Sequence, residues 1–143
     1  MTLKRFIMLS TLCVILSGCF GDSAEKARDA IDSGRFNKAH KALDKALGKK
    51  PKDPLLNGLK AEALVKECIE TKCHNDPTSP LMFDKHLRYA IGSIFIEKKP
   101  YNPLEIILTS INSIKDSTDK SNMLMLMIDS TQSGGLKNRL IPH

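Results

Sequence analysis

The feature that most constrains this chain is a helical period of apolar residues, resumed several times and each time cut off by glycine or proline. After Asp22, residues Ala24, Ala27 and Ile31 return at intervals of three and four before Ser33 and Gly34 interrupt them. Phe36, Ala39, Leu43, Ala46 and Leu47 line one side of a second stretch. Lys38, Lys41 and Lys45 cover its other side, and "GKKPKDP" stops it. Asp53 reads as an N-cap with Pro54 in the first turn, opening a third helix through Leu56, Leu59, Ala63 and Leu64. Phe83, Leu87, Ala90, Ile91, Ile94 and Phe95 form a further stripe that predicts a helix, broken by "KKPYNP". Leu104, Ile107, Leu108, Ile111 and Ile114 form another, and a last helix covers Asp119 to Thr131. No such helix can bury its stripe alone, so the expected fold is all-α, with about six helices after residue 22 packed as antiparallel hairpins.

A length of 143 residues suits one domain with a hydrophobic core. The net charge of +6 becomes +4 without Lys4 and Arg5, and the remaining basic residues alternate with Asp and Glu. That interleaving reads as solvated helix faces. A nucleic-acid reader would show a clustered basic stripe with aromatics among it, whereas here the aromatics stand singly at core-like positions, so no nucleic-acid partner is expected.

The first eighteen residues are of another kind. Lys4 and Arg5 precede "FIMLSTLCVIL", which is too short to span a bilayer core of ~30 Å as a helix and fits an export signal. Leu16-Ser17-Gly18-Cys19 follows, and it resembles the lipobox of bacterial lipoproteins at all four positions. The resemblance implies alkylation of the Cys19 thiol with diacylglycerol, cleavage between Gly18 and Cys19 and acylation of the new amino terminus, with Cys13 discarded. It also implies a bilayer as the first partner, reached through lipid at Cys19. Phe20, rather than Asp, follows Cys19, which implies the outer membrane, on its periplasmic face, of a Gram-negative cell. The expected layout is a signal peptide over 1–18, a lipidated linker over 19–22, a helical domain over 23–131 and a flexible tail over 132–143. The competing reading keeps the apolar segment as an uncleaved anchor.

The stretch "SGRFNKAHKALDKALGKKPKDP" resembles a tetratricopeptide repeat, namely its turn and second helix. The turn glycine falls on Gly34, the aromatic on Phe36, the small packing residues on Ala39 and Ala46, and the terminating proline on Pro51. Ala27 and Ala61, thirty-four residues apart, take the small position of successive first helices. The family's bulky first-helix aromatics are missing, and after Ala61 the pattern fades, because Glu70 and Cys73 stand where Phe36 and Ala39 should recur. The resemblance implies a short tetratricopeptide-like α-solenoid that binds another protein. A generic helical hairpin would use the same small residues.

With Cys19 lipidated, Cys68 and Cys73 remain. An oxidising periplasm favours a disulfide between them, and such a bridge requires the helix to end or tighten between the two, since Cα atoms beyond ~7 Å cannot be joined. His74-Asn75-Asp76-Pro77 supplies a stop signal. Cys68-x-x-x-x-Cys73-His74 also resembles the wide-spaced form of the c-type haem attachment motif, with His74 as axial ligand and the second ligand sought among His40, Met82, His86 and the C-terminal tail. Free thiols are the third reading.

No catalytic constellation is evident: no nucleophile elbow, phosphate-cradling loop or zinc cluster. His40 reads as a surface or boundary residue, and Glu62, Glu67 and Glu70 as solvated. "MLMLMI" at 123–128 is apolar on every side and is either sandwiched in the core or left as a Met-rich contact surface. The expectation is therefore a membrane-anchored envelope scaffold or assembly factor, such as a pilotin-like helper of a pilus or secretion channel, with neither enzyme activity, small-molecule substrate nor metal. A haem electron carrier and a structural lipoprotein without a dedicated partner are the alternatives.

Overall fold

Gly34 turns the chain first. Its φ of +66° is reached without strain only by glycine, and the turn is closed by Arg35 N donating to the Ala30 carbonyl at 2.7 Å. Before it runs α1, over residues 22–32, and after it α2, Phe36–Lys49. The computed structural model describes residues 22–75, 83–87, 89–90, 94–96 and 98–131. These form α3 (Pro54–Thr71), a 3₁₀ turn (Cys73–Asn75), α4 (Phe83–Leu87), strands β1 (Phe95–Ile96) and β2 (Lys99–Pro100), α5 (Pro103–Asn112) and α6 (Ser117–Thr131). The class is all-α, six helices with one minimal hairpin among the described residues.

Asp53 caps α3 as expected: its carboxylate accepts from Leu56 N at 3.0 Å, with Pro54 in the first turn. Asn102 caps α5 in the same way, accepting from Glu105 N at 3.3 Å with Pro103 behind it.

The centre of the molecule is α3, where every residue from Leu56 to Ala63 is buried. At 3.6 residues per turn, Leu56, Leu59 and Ala63 fall on one side and Ala61, Val65 and Cys68 on the other. The first side joins Ala24, Ala27, Ala30 and Ile31 of α1, Phe36, Ala39, Leu43 and Ala46 of α2, and Ile94 and Tyr101. The second joins Leu87 of α4, Ile107 and Ile111 of α5, and Met123 and Met127 of α6. One helix thus forms a wall of two apolar clusters.

Two expectations are corrected. The stripe from Phe83 to Phe95 is not one helix. α4 stops at Leu87, Tyr89 N and Ala90 N close turns back to His86 and Leu87, and β1 pairs antiparallel with β2, Phe95 opposite Pro100 and Ile96 opposite Lys99. The physical reason is visible in the burial, since Ile94 is buried while Phe95 is 53% exposed. Alternation of this kind suits a strand, and β-branched Ile94 and Ile96 favour it. Tyr101 N extends the pairing to the Ile94 carbonyl at 2.9 Å. The methionine-rich segment is neither wholly sandwiched nor wholly a surface: Met123 and Met127 are buried, while Met125 is 57% exposed.

α3 also runs past the place where a second repeat would turn. Cys68, thirty-four residues beyond Gly34, lies inside the helix, which ends only at Thr71 with Lys72 in the left-handed conformation at φ +56°.

Candidate functional site

Glu62 stands on α3 between buried Ala61 and Ala63, and its side chain has no exposed surface. A carboxylate cannot be left there alone, because burial of an unpaired charge costs several kcal/mol. Three donors converge on it. Arg28 of α1 makes a two-pronged contact, Nη1 to Oε2 at 2.7 Å and Nη2 to Oε1 at 2.6 Å. Lys66, one turn on, lies 2.7 Å from Oε1, and the Tyr101 hydroxyl donates to Oε2 at 2.8 Å.

Burial alone would push the Glu62 carboxyl up, but the hydrogen bonds from Arg28 and Lys66 outweigh it and hold it below the usual carboxylate range. Burial together with the Glu62 charge raises the Tyr101 phenol far above its ordinary value, so it remains a donor. Burial works against the Arg28 charge, yet the bonds to Glu62 and Asp32 more than compensate and raise its pKa. Asp32 completes the arrangement by accepting from Arg28 Nε at 3.0 Å and Nη2 at 2.6 Å.

Arg28, Asp32 and Tyr101 of this cluster also line an open cleft of about 440 Å³ between α1 and the β1–β2 hairpin. Glu25, Asp29 and Asp32 stand on its α1 side, and Ile96, Lys99 and Ile106 on the other. With Arg28 committed to Glu62 and Asp32, the cleft sets an acidic α1 wall against a wall of Ile96 and Ile106 that also carries Lys99. It can take a polypeptide segment that brings both basic and apolar side chains.

A second polar junction joins the end of α3 to α6. Cys68 and Cys73 lie at disulfide distance, with Cα atoms 4.8 Å apart and the helix ending between them. The turn that follows presents three groups to Asp119. Asn75 Nδ2 donates to Oδ1 at 3.2 Å, Lys72 Nζ lies 3.2 Å from Oδ2, and His74 Nε2 lies 3.5 Å from Oδ1. Asn122 Nδ2 then donates to Asn75 Oδ1 at 2.9 Å. The hydrogen bonds of Asn75 and Lys72 hold the Asp119 carboxyl below its ordinary value. The His74 side chain is 1% exposed, and among the described residues neither ring nitrogen has a hydrogen-bond partner. The two sulfurs face each other and the imidazole is covered.

The other residues singled out in the sequence fall as follows. Ala27, Ala39, Ala46 and Ala61 are buried, as is Phe36, and Gly34 makes its turn. Pro51 is exposed in the turn before α3, its carbonyl accepting from Asn57 Nδ2 at 3.0 Å. His40 is indeed a boundary residue: Lys60 Nζ donates to its Nδ1 at 3.1 Å, which leaves Nε2 to donate to Glu67 at 2.8 Å. His86 Nδ1 lies 2.8 Å from Asn57 Oδ1. Gly18, Cys19 and Met82 lie outside the described residues.

Glu62 is the functional residue the sequence conceals, since a carboxylate within a helix ordinarily faces water. A signal existed. Once α3 is recognised as apolar on two opposite sides, a carboxylate between them needs a cation from a neighbouring helix. Among the described residues no helix is long and apolar enough to cross a membrane, and no group of three or more His, Cys, Asp and Glu is placed to hold a metal ion. No protein-family model, no curated protein and no solved structure matches the chain.

Proposed function

We propose that this chain is a lipid-anchored protein of the bacterial cell envelope whose helical domain binds a segment of another envelope protein. The observation that carries the reading is Leu16-Ser17-Gly18-Cys19 standing behind Lys4, Arg5 and an apolar run. Lipid on Cys19 would hold the domain at the periplasmic face of the outer membrane without any spanning helix, since acyl chains contribute about 0.8 kcal/mol per buried methylene.

The binding role draws support from the α1–α2 unit and from the cleft beside it. Buried alanines at 27, 39 and 46 and the glycine turn at 34 match a tetratricopeptide-like hairpin, an architecture whose work is to present helical grooves to extended segments. In this reading α3 begins a second unit that remains incomplete. A pilotin-like helper of pilus or secretion-channel assembly is one instance, by analogy of size and address.

Two experiments test it. Cys19→Ser should leave an unprocessed precursor that no longer incorporates palmitate; normal processing would refute the anchor. A photo-crosslinker at Asp32, on the cleft rim, should give a discrete adduct in intact envelopes that is absent when the crosslinker stands at Lys115. Identical adduct patterns at the two positions would refute the cleft as the binding surface.

A further inference from the structure

Lysines are not spread evenly around α2. Lys38, Lys41, Lys45 and Lys49 follow one another at intervals of three, four and four, which places all four on one face, turned away from buried Phe36, Ala39, Leu43 and Ala46. All four are exposed. Among the described residues none of them belongs to an ion pair. The one carboxylate of α2, Asp44, points to another side, where it meets Lys60 at 2.8 Å. Exposed Arg35 and Lys38 continue the basic face into a groove of about 390 Å³ between α1 and α2, which also contains Lys26 and Asp29. Four lysines thus share one side of α2, while Glu25, Asp29 and Asp32 of α1 line the cleft on the other side of that helix.

The geometry points to the lysine face of α2 as a surface that lies against an anionic bilayer, its ammonium groups engaging phospholipid phosphates. The inference rests on the proposed anchor at Cys19 and deepens it. The three residues from Cys19 to Asp22 span at most about 10 Å, so the helical pair after them starts at the headgroups. The acyl chains at Cys19 hold the domain at the surface, and a polybasic face adds an electrostatic attraction that sets which side of the domain lies against it. Each lysine close to an anionic surface strengthens binding about fivefold, an effect that salt removes. A nucleic acid is the less suitable polyanion, since no exposed aromatic stands among the lysines to stack on bases.

The test uses the full chain matured in a Gram-negative host and mixed with phosphatidylcholine vesicles, with or without phosphatidylglycerol. Flotation is measured, and amine acetylation of each lysine is followed by mass spectrometry, with exposed Lys115 as internal reference. On vesicles containing phosphatidylglycerol, Lys38, Lys41, Lys45 and Lys49 should label several-fold more slowly than on phosphatidylcholine. Lys115 should not change, and high salt should abolish the difference. Flotation with both vesicles but equal labelling overturns the lysine face and leaves the anchor standing. Salt-sensitive flotation with phosphatidylglycerol alone supports the face and overturns the anchor. Flotation with neither overturns both. Equal slowing by transfer RNA in solution overturns the bilayer as the specific occupant. In a companion variant all four lysines become Gln, exposed changes that should leave the circular dichroism spectrum intact, and its remaining α2 residues should lose the phosphatidylglycerol-dependent protection from hydroxyl-radical footprinting.

Discussion

Arg28 and Glu62, thirty-four residues apart in the chain, meet through two hydrogen bonds of 2.7 and 2.6 Å that tie α1 to α3. Arg28→Ala would leave a fully buried carboxylate with only Lys66 and the Tyr101 hydroxyl, and should destabilise the protein by about 3 kcal/mol. Urea denaturation of the variant and wild type measures it. A shift within error would mean that water takes the place of the guanidinium.

The same carboxylate sets a pH dependence. Its folded pKa lies below the ordinary 4.5, so the unfolded chain binds its proton first as pH falls. The associated stability is fully present above about 4.5 and is lost as pH drops through the folded value. Glu62→Gln should flatten the acid limb of a stability-against-pH curve relative to wild type. Parallel acid limbs would assign the pH dependence to other carboxylates.

The Cys68–Cys73 bridge closes a short loop and holds the turn that carries Lys72, His74 and Asn75 to Asp119. Its reduction, or replacement of both residues by Ser, should cost about 2 kcal/mol. Loss of protection should begin in α6, as read by amide hydrogen exchange. Iodoacetamide should add nothing to the native unreduced protein after periplasmic expression, and labelling at both positions would show free thiols instead.

Two glycines should respond in opposite directions. A Cβ at Gly58 would come within 3.0 Å of Tyr101 Cε1 and 3.2 Å of Pro103 Cγ, whereas one at Gly48 would meet nothing within 4 Å. Gly58→Ala should therefore destabilise by about 1 kcal/mol despite its better helix propensity, and Gly48→Ala should stabilise by about 0.5 kcal/mol. Thermal unfolding of the pair decides it; equal shifts would mean that α5 moves aside freely.

The first three helices were legible because each apolar period ends in a residue with a backbone reason to stop it: Gly34 with its positive φ, and Asp53 with Pro54 opening α3. The need for the helix to close between Cys68 and Cys73 was legible from bond geometry, and Lys72 supplies it in a left-handed cap. The region from Phe83 to Tyr101 was not, because isoleucines and phenylalanine at helical spacing also satisfy a two-residue alternation over a few positions, and only tertiary packing chose between them. Glu62 was hidden for a related reason. A charge within a helix usually faces water, and nothing local shows that α3 has lost its solvent side. The lysine side of α2 was legible from the helical period, which already sets Lys38, Lys41 and Lys45 opposite Phe36, Ala39 and Leu43; that the acidic residues of α1 line the cleft was not, because it depends on how α1 packs.

With α3 serving as a shared partition, the molecule has no seam. A break anywhere between residues 54 and 71 would strip a lining from both of its oily compartments, so neither half is a fragment that recombination could carry off intact. Novelty can enter such a protein at its rims, where the hairpin and the lysine ridge lie, far more easily than along its spine.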